Sequence, residues 1–227
     1  MGSMIAVRAA DDTSLPVYLA EPTGIRRGSL VVIQEIFGVN PYIRSVADQF
    51  AEAGYVCYAP DLYHRIEPGI ELGYEAADVQ RGLELKSQTG LDLPVMDVQT
   101  CVATLLIDHR VGVVGFCYGG SLSWLSACRG YGMEAAVCYY GGQIAALLDK
   151  PANVPVQMHF GDRDASIPPE DVEKIRAFAT EADIHVYEGE HGFACHARGS
   201  HHPVSAEAAN ERTLAFFSKH VAKEEIS

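Results

Sequence analysis

The sequence predicts one α/β domain built on an open, mostly parallel sheet with helices on both faces. Three observations lead there. Short β-branched apolar runs alternate with amphipathic segments along nearly the whole chain. The 227 residues suit one such domain and crowd two, and 48% hydrophobic residues provide a sizeable core. Helices between the strands are too few for a closed barrel of eight βα units, which would be cramped in this length.

Taken in order, an early strand is predicted through Leu15 to Leu19. Leu30 to Ile36 reads LVVIQEI, as a strand covered on both faces would. Asn40-Pro41 then supplies an N-cap and a first-turn proline, and Ile43, Val46, Ala47 and Phe50 recur at helical spacing before Gly54 ends the helix. Tyr55 to Ala59 is the next strand, broken by Pro60-Asp61. Residues Tyr63 to Leu93 are less regular, punctuated by Pro68-Gly69 and Gly90, and read as an excursion beside the sheet that supplies substrate-contacting loops. Val98, Cys101, Val102, Leu105 and Leu106 make a helical face. Strands follow at Val111 to Phe116, Ala135 to Tyr139, Val154 to Phe160 and Asp183 to Tyr187, with a helix through Val172, Ile175 and Phe178 between the last two. An apolar-faced helix, Thr213 to Val221, closes the chain. Met1-Gly2-Ser3-Met4 reads as a cloning remnant before a native Met4, so the domain is taken as residues 4–227.

Charge and composition narrow the function. Thirty acidic against 17 basic residues give a net charge of -13, a field that repels phosphate backbones and argues against a nucleic-acid partner. A small anionic substrate remains compatible, because one or two arginines can dominate inside a pocket. No apolar run approaches membrane-spanning length and no signal peptide is evident, so a cytoplasmic protein, a monomer or weak homo-oligomer, is expected. The six cysteines mostly lie in apolar runs without disulfide or zinc-knuckle spacing, and read as free buried thiols. Cys117 is the exception.

It sits in Val113-Val114-Gly115-Phe116-Cys117-Tyr118-Gly119-Gly120, where a predicted strand runs straight into a helix. Glycines two residues either side remove the Cβ atoms that would collide in so tight a turn. The central side chain is thrust up beside a helix N-terminus, which lowers a thiol's pKa and offers free N–H groups to an oxyanion. A buried cysteine in a glycine-rich turn of a dinucleotide fold is the bland alternative, but that fold wants G-x-G-x-x-G after the first strand, and this motif lies mid-chain. Two partners sharpen the reading. His159-Phe160-Gly161-Asp162-Arg163-Asp164 ends one strand, and Glu188-Gly189-Glu190-His191-Gly192-Phe193 follows another. Nucleophile, acid, histidine is the chain order of the α/β-hydrolase triad, each member just past a strand. The residues are Cys117, Asp164 and His191. Asp162 is the alternative acid; Asp164 lies further into the loop, where it can bend back over the sheet edge.

The sequence also resembles a family, the dienelactone hydrolases (carboxymethylenebutenolidases). The resemblance rests on QEIFG at Gln34 to Gly38, APDLY at Ala59 to Tyr63, GFCYGG at Gly115 to Gly120, GDRD at Gly161 to Asp164 and EHGF at Glu190 to Phe193, in order across nearly the whole chain. It implies an α/β-hydrolase fold, a triad of Cys117, Asp164 and His191, no cofactor, and hydrolysis of a lactone whose ring oxygen leaves as an enolate. Glu35 would otherwise read as an exposed strand-end carboxylate, although at this edge it could approach Cys117 and control its proton. It matches the family glutamate that contacts the resting thiol and helps generate the thiolate when substrate binds. The N–H groups of Ile36 and Tyr118 would form the oxyanion hole. Arg81 and Arg198 are candidates for binding a substrate carboxylate, since a guanidinium offers fixed bidentate donors, and each is equally readable as a solvated surface residue. The stretch Phe193-Ala194-Cys195-His196-Ala197-Arg198 departs from the short arginine spacing of the best-known members, so substrate preference need not follow theirs. Cys195, His196 and His201 invite a zinc reading, but they form no separated pair of ligand clusters, and polar loop residues are the better account.

The expected reaction is acyl transfer through a Cys117 thioester. Because thiolate is itself a good leaving group, activated enol lactones are favoured over simple alkyl esters. A broad carboxylesterase or thioesterase of the same fold, and a non-hydrolytic redox-sensing or binding module with a reactive cysteine, are the rival readings.

Overall fold

The computed structural model describes residues 2–107 and 110–222. Eight strands form one sheet: β1 (Ser3–Arg8), β2 (Ser14–Ala20), β3 (Gly28–Ile33), β4 (Tyr55–Pro60), β5 (Val111–Phe116), β6 (Met133–Tyr139), β7 (Val156–Gly161) and β8 (Asp183–Tyr187). Their spatial order is β1-β2-β4-β3-β5-β6-β7-β8. The β1–β2 and β2–β4 pairs are antiparallel and the other five are parallel. The predicted mostly parallel α/β sheet is what the chain forms.

Among the described residues six α-helices cover it: α1 (Pro41–Glu52), α2 (Ala76–Thr89), α3 (Asp92–Leu105), α4 (Tyr118–Arg129), α5 (Pro169–Phe178) and α6 (Pro203–His220). Alternation along the buried strands divides the core in two. In β3, Leu30 and Val32 join the cluster built with Ile43, Val46, Phe50 of α1, Ile175 of α5 and Phe217 of α6. Val31 and Ile33 point the other way, to Leu85 of α2 and Val98, Val102 and Leu105 of α3. Helix α1 starts where the sequence places it: the Asn40 Oδ1 accepts from the Ile43 N–H at 3.2 Å, with a proline in the first turn. Among the described residues no helix is long and apolar enough to cross a membrane.

Four expectations are corrected. The strand predicted to run from Leu30 to Ile36 stops at Ile33, where its ladder with β5 ends, and Gln34, Glu35 and Ile36 continue beyond the sheet edge. The excursion from Tyr63 to Leu93 contains the fourteen-residue helix α2. The last helix begins at Pro203 rather than Thr213. An edge strand, β1, precedes the first strand expected.

Chain direction across the sheet reverses at β3, which pairs with β4 on one side and β5 on the other. The crevice at the carboxyl ends of β3 and β5 is therefore the topological switch point, the place where open α/β sheets bind ligands. Glu35 and Cys117 lie at that crevice, just past those two ends.

Candidate active site

Cys117 has φ 55° and ψ -111°, a left-handed conformation unusual for a residue with a side chain, and Tyr118 begins α4 directly after it. The glycines make the bend possible. A Cβ at Gly119 would lie 2.5 Å from the Ile33 carbonyl oxygen and 2.6 Å from that of Gln34; one at Gly115 would strike the Gly119 carbonyl, and one at Gly120 that of Tyr139. All of these are backbone atoms and none can swing aside. The elbow is pinned from beneath by the Cys117 N–H, which donates to the Tyr139 carbonyl at 3.0 Å. Of the six cysteines, five are buried and Cys117 alone is partly accessible.

His191 and Asp164 come together from the loops after β8 and β7. The His191 Nδ1 lies 2.7 Å from Asp164 Oδ2, and the carboxylate's other oxygen accepts from the Ser166 N–H at 2.8 Å. Asp162 is turned elsewhere, accepting from the Gly189 N–H, with its side chain half exposed. The imidazole stands edge-on to Tyr140, ring centroids 5.2 Å apart. Burial works against its charge, but the neighbouring Cys117 and the hydrogen bond with Asp164 push its pKa up to about 10.

Glu35 is wholly buried, and its two oxygens have separate partners. Oε1 lies 3.4 Å from an Arg198 guanidinium nitrogen, and Oε2 accepts from the Tyr74 hydroxyl at 3.3 Å. Burial raises its pKa while Arg198, His191 and Tyr74 pull it down. Arg198 stacks over the rings of Phe37 and Tyr74, 5.5 and 5.6 Å to the centroids. It also fills the space over Gly192, where a Cβ would collide with the guanidinium and where φ is +81°. The Ile36 carbonyl accepts from the Tyr63 hydroxyl at 3.1 Å, and Gly82 of α2 packs on the same peptide.

Arg81 lies apart from this group. Its guanidinium pairs with Glu67 at 2.5 Å and Glu84 at 3.5 Å on the solvent side of α2. In the following tract the Cys195 thiol donates to the Tyr74 hydroxyl at 3.3 Å, the His196 ring stands edge-on to Tyr42, and the His202 ring accepts from the Ser205 N–H at the start of α6. Tyr74 and Tyr140 escaped sequence reasoning. Tyr74 stands within the excursion, with no motif around it. Tyr140, like Cys117, carries a left-handed φ, 37°, directly after β6.

Residues 15–221 match the profile of the dienelactone hydrolase family. The chain belongs to that family. It is a hydrolase of the α/β-hydrolase superfamily, acting on small carboxylic substrates. A relative from Azospirillum brasilense, provisionally named a carboxymethylenebutenolidase, is 34% identical over 232 residues, covering 96% of this chain and 98% of its own. The carboxymethylenebutenolidase of Pseudomonas putida is 29% identical over 225 residues, 94% and 95% of the two chains. A crystal structure from Klebsiella pneumoniae, provisionally named a dienelactone hydrolase, superposes with a TM-score of 0.85 at 29% identity over 97% of this chain and 99% of its own.

Proposed function

We propose that this dienelactone hydrolase family member cleaves an activated enol lactone or ester through a Cys117 acyl-enzyme, with His191 as proton carrier and Asp164 as its anchor. The observation that carries the reading is the strained elbow, which presents the one accessible thiol at a helix N-terminus, together with an imidazole held by a buried carboxylate at 2.7 Å.

The imidazole's raised affinity for its proton suits a thiolate–imidazolium pair. Thiolate attacks the carbonyl carbon, and the developing oxyanion is taken by the N–H of Tyr118, which as a first-turn donor has no intrahelical acceptor, and by that of Ile36. On collapse the carbon–oxygen bond breaks, the His191 proton goes to the departing oxygen, and a thioester is left. The sulfur's negative charge has then gone, and with it the strongest influence holding His191 protonated. The imidazole becomes an ordinary base, takes a proton from water, and the resulting attack releases the acid and restores the pair. Forward collapse requires a leaving oxygen at least as willing to go as sulfur, which selects enolates and aryloxides.

An anionic group on the substrate would meet Arg198, which lies beside Glu35. Competition for that guanidinium frees the Glu35 carboxylate to approach Cys117 and take the proton from molecules in which the sulfur still carries one, completing the pair, which is the part the family resemblance gives this glutamate. The proton returns to sulfur when product leaves and Arg198 pairs with Glu35 again. Arg81, engaged by Glu67 and Glu84, is left out of this scheme.

The test is turnover of an enol lactone and of aryl and alkyl esters by the wild type and by Cys117→Ala, with intact-mass detection of the acyl adduct. Loss of turnover and of the adduct in the variant is expected. Undiminished hydrolysis by a folded Cys117→Ala protein refutes the reading, and preference for simple alkyl esters would favour a broad carboxylesterase instead.

A further inference from the structure

Tyr74 lies just before α2 and touches no reacting atom in this scheme, yet its hydroxyl has three polar neighbours: Asn40 Nδ2 at 3.1 Å, the Cys195 thiol at 3.3 Å and Glu35 Oε2 at 3.3 Å. Donor and acceptor chemistry decides which way the protons point. The Asn40 amide cannot be reversed, because its oxygen caps α1 by accepting from the Ile43 N–H and its nitrogen also donates to the Leu72 carbonyl. Its nitrogen therefore donates to the tyrosine. The Cys195 thiol is a poor acceptor, and burial keeps it protonated, its pKa pushed up to about 12. Both lone pairs of the phenol oxygen are thus occupied by donors, and its single proton is left for the carboxylate. A protonated Glu35 pointing its own proton at Tyr74 would find no lone pair to receive it.

We propose that Tyr74 is a positioning residue that keeps the sealed Glu35 side chain ionised and acceptor-only, so that the carboxylate can receive the Cys117 proton when a substrate anion draws Arg198 away. The inference rests on the reading of Glu35 given above. Its force comes from the accounting of partners: Arg198 and Tyr74 hold the two oxygens, and once substrate engages the first, the second still stabilises the charge. The ionisable groups that face Glu35 are Arg198, His191, Tyr74, Tyr42, Tyr140 and Cys195. Of these, Arg198, His191 and Tyr74 favour the carboxylate's charge. Arg198 is the one substrate would divert, and His191 loses its own proton during turnover.

The test is Tyr74→Phe, which keeps the ring against Phe37 and under Arg198 and deletes only the hydroxyl. Glu35 ionisation is read directly in the Cys117→Ala background, as the carboxyl infrared band lost on Glu35→Gln, across a pH titration; this readout needs no turnover. A hydrogen bond to a charged group is worth enough to move the midpoint up by about one pH unit. In the active protein the acid limb of kcat on an anionic substrate should move up by a similar amount. Tyr74→Phe should leave that limb in place in a Glu35→Gln background. An unmoved infrared midpoint in a Tyr74→Phe protein with native near-ultraviolet circular dichroism overturns the inference. So does a uniform loss of activity with an unmoved acid limb, which is what a purely structural tyrosine would give. A moved midpoint together with full turnover by Cys117→Ala would leave Tyr74's effect on Glu35 standing and overturn the thiol chemistry instead.

Discussion

Replacing Cys117 with alanine should do more than stop turnover: it should change when His191 gives up its proton. The imidazole side chain is about one-fifth exposed, at 21%, and its pKa is pushed from 6.5 up to about 10 against the pull of burial. That displacement corresponds to on the order of 5 kcal/mol favouring the protonated ring in the folded protein. Because the folded value is raised, this stabilisation is fully present below about pH 6.5 and is lost as pH rises through about 10. Among the influences that raise it, the charge on Cys117 is the largest, ahead of the hydrogen bond with Asp164. An adjacent opposite charge is worth about 1–3 pH units, so the alanine variant should titrate His191 lower by about that much. Nitrogen-detected NMR of the imidazole, followed from pH 6 to pH 11 in both proteins, measures it. If the midpoint of the variant stayed within a few tenths of the wild type, Asp164 alone would be holding the proton, and the ion pair behind the proposed mechanism would not exist.

Two other outcomes follow from the same geometry. Gly119→Ala should destabilise the fold by about 1–3 kcal/mol in urea unfolding, because its Cβ would meet two immovable carbonyl oxygens; a wild-type midpoint would mean the elbow is not as tight as described. His159 is sealed between Tyr187, Gln157 and Thr213, and burial and the neighbouring His185 hold its pKa well below 6.5. Its neutral form contributes stability above about pH 6.5 that is lost as pH falls, by up to about 1.4 kcal/mol per unit, so thermal melts of His159→Gln should decline less steeply from pH 7 to pH 5.

What the chain disclosed before folding was uneven, and for physical reasons. The elbow announced itself because only glycine can stand where backbone atoms approach so closely. The central strands were legible because sheet faces covered on both sides demand unbroken apolar runs. Helix α2 was not. Gly82 and Leu85 are its buried residues, while Leu83 is 47% exposed, so it carries almost no periodic signature and is held by Leu85 in the core and by the close approach of Gly82 to Ile36. Strand β1 was missed for a similar reason, being an edge strand whose residues are exposed or half-buried. Within the site, Cys117, Asp164 and His191 each follow a strand and could be read from chain order. Glu35 read as an exposed strand-end carboxylate that could approach Cys117, whereas it is buried beyond the end of β3, and its partner Tyr74 was not foreseen, because the contact joins residues 39 apart through side chains alone. The two arginines looked alike in sequence and separate only in space, where one finds surface glutamates and the other a buried carboxylate.

The unequal fates of the six thiols give the protein a chemical address. Burial pushes the pKa of Cys57, Cys101, Cys128, Cys138 and Cys195 upward, leaving them neutral and enclosed at neutral pH. An electrophile of modest size added to the native protein therefore finds a single target. With Cys117 as the proposed nucleophile, one equivalent of label would count competent molecules in a preparation, and the same selectivity would make the position the first to be lost to oxidants and quinones.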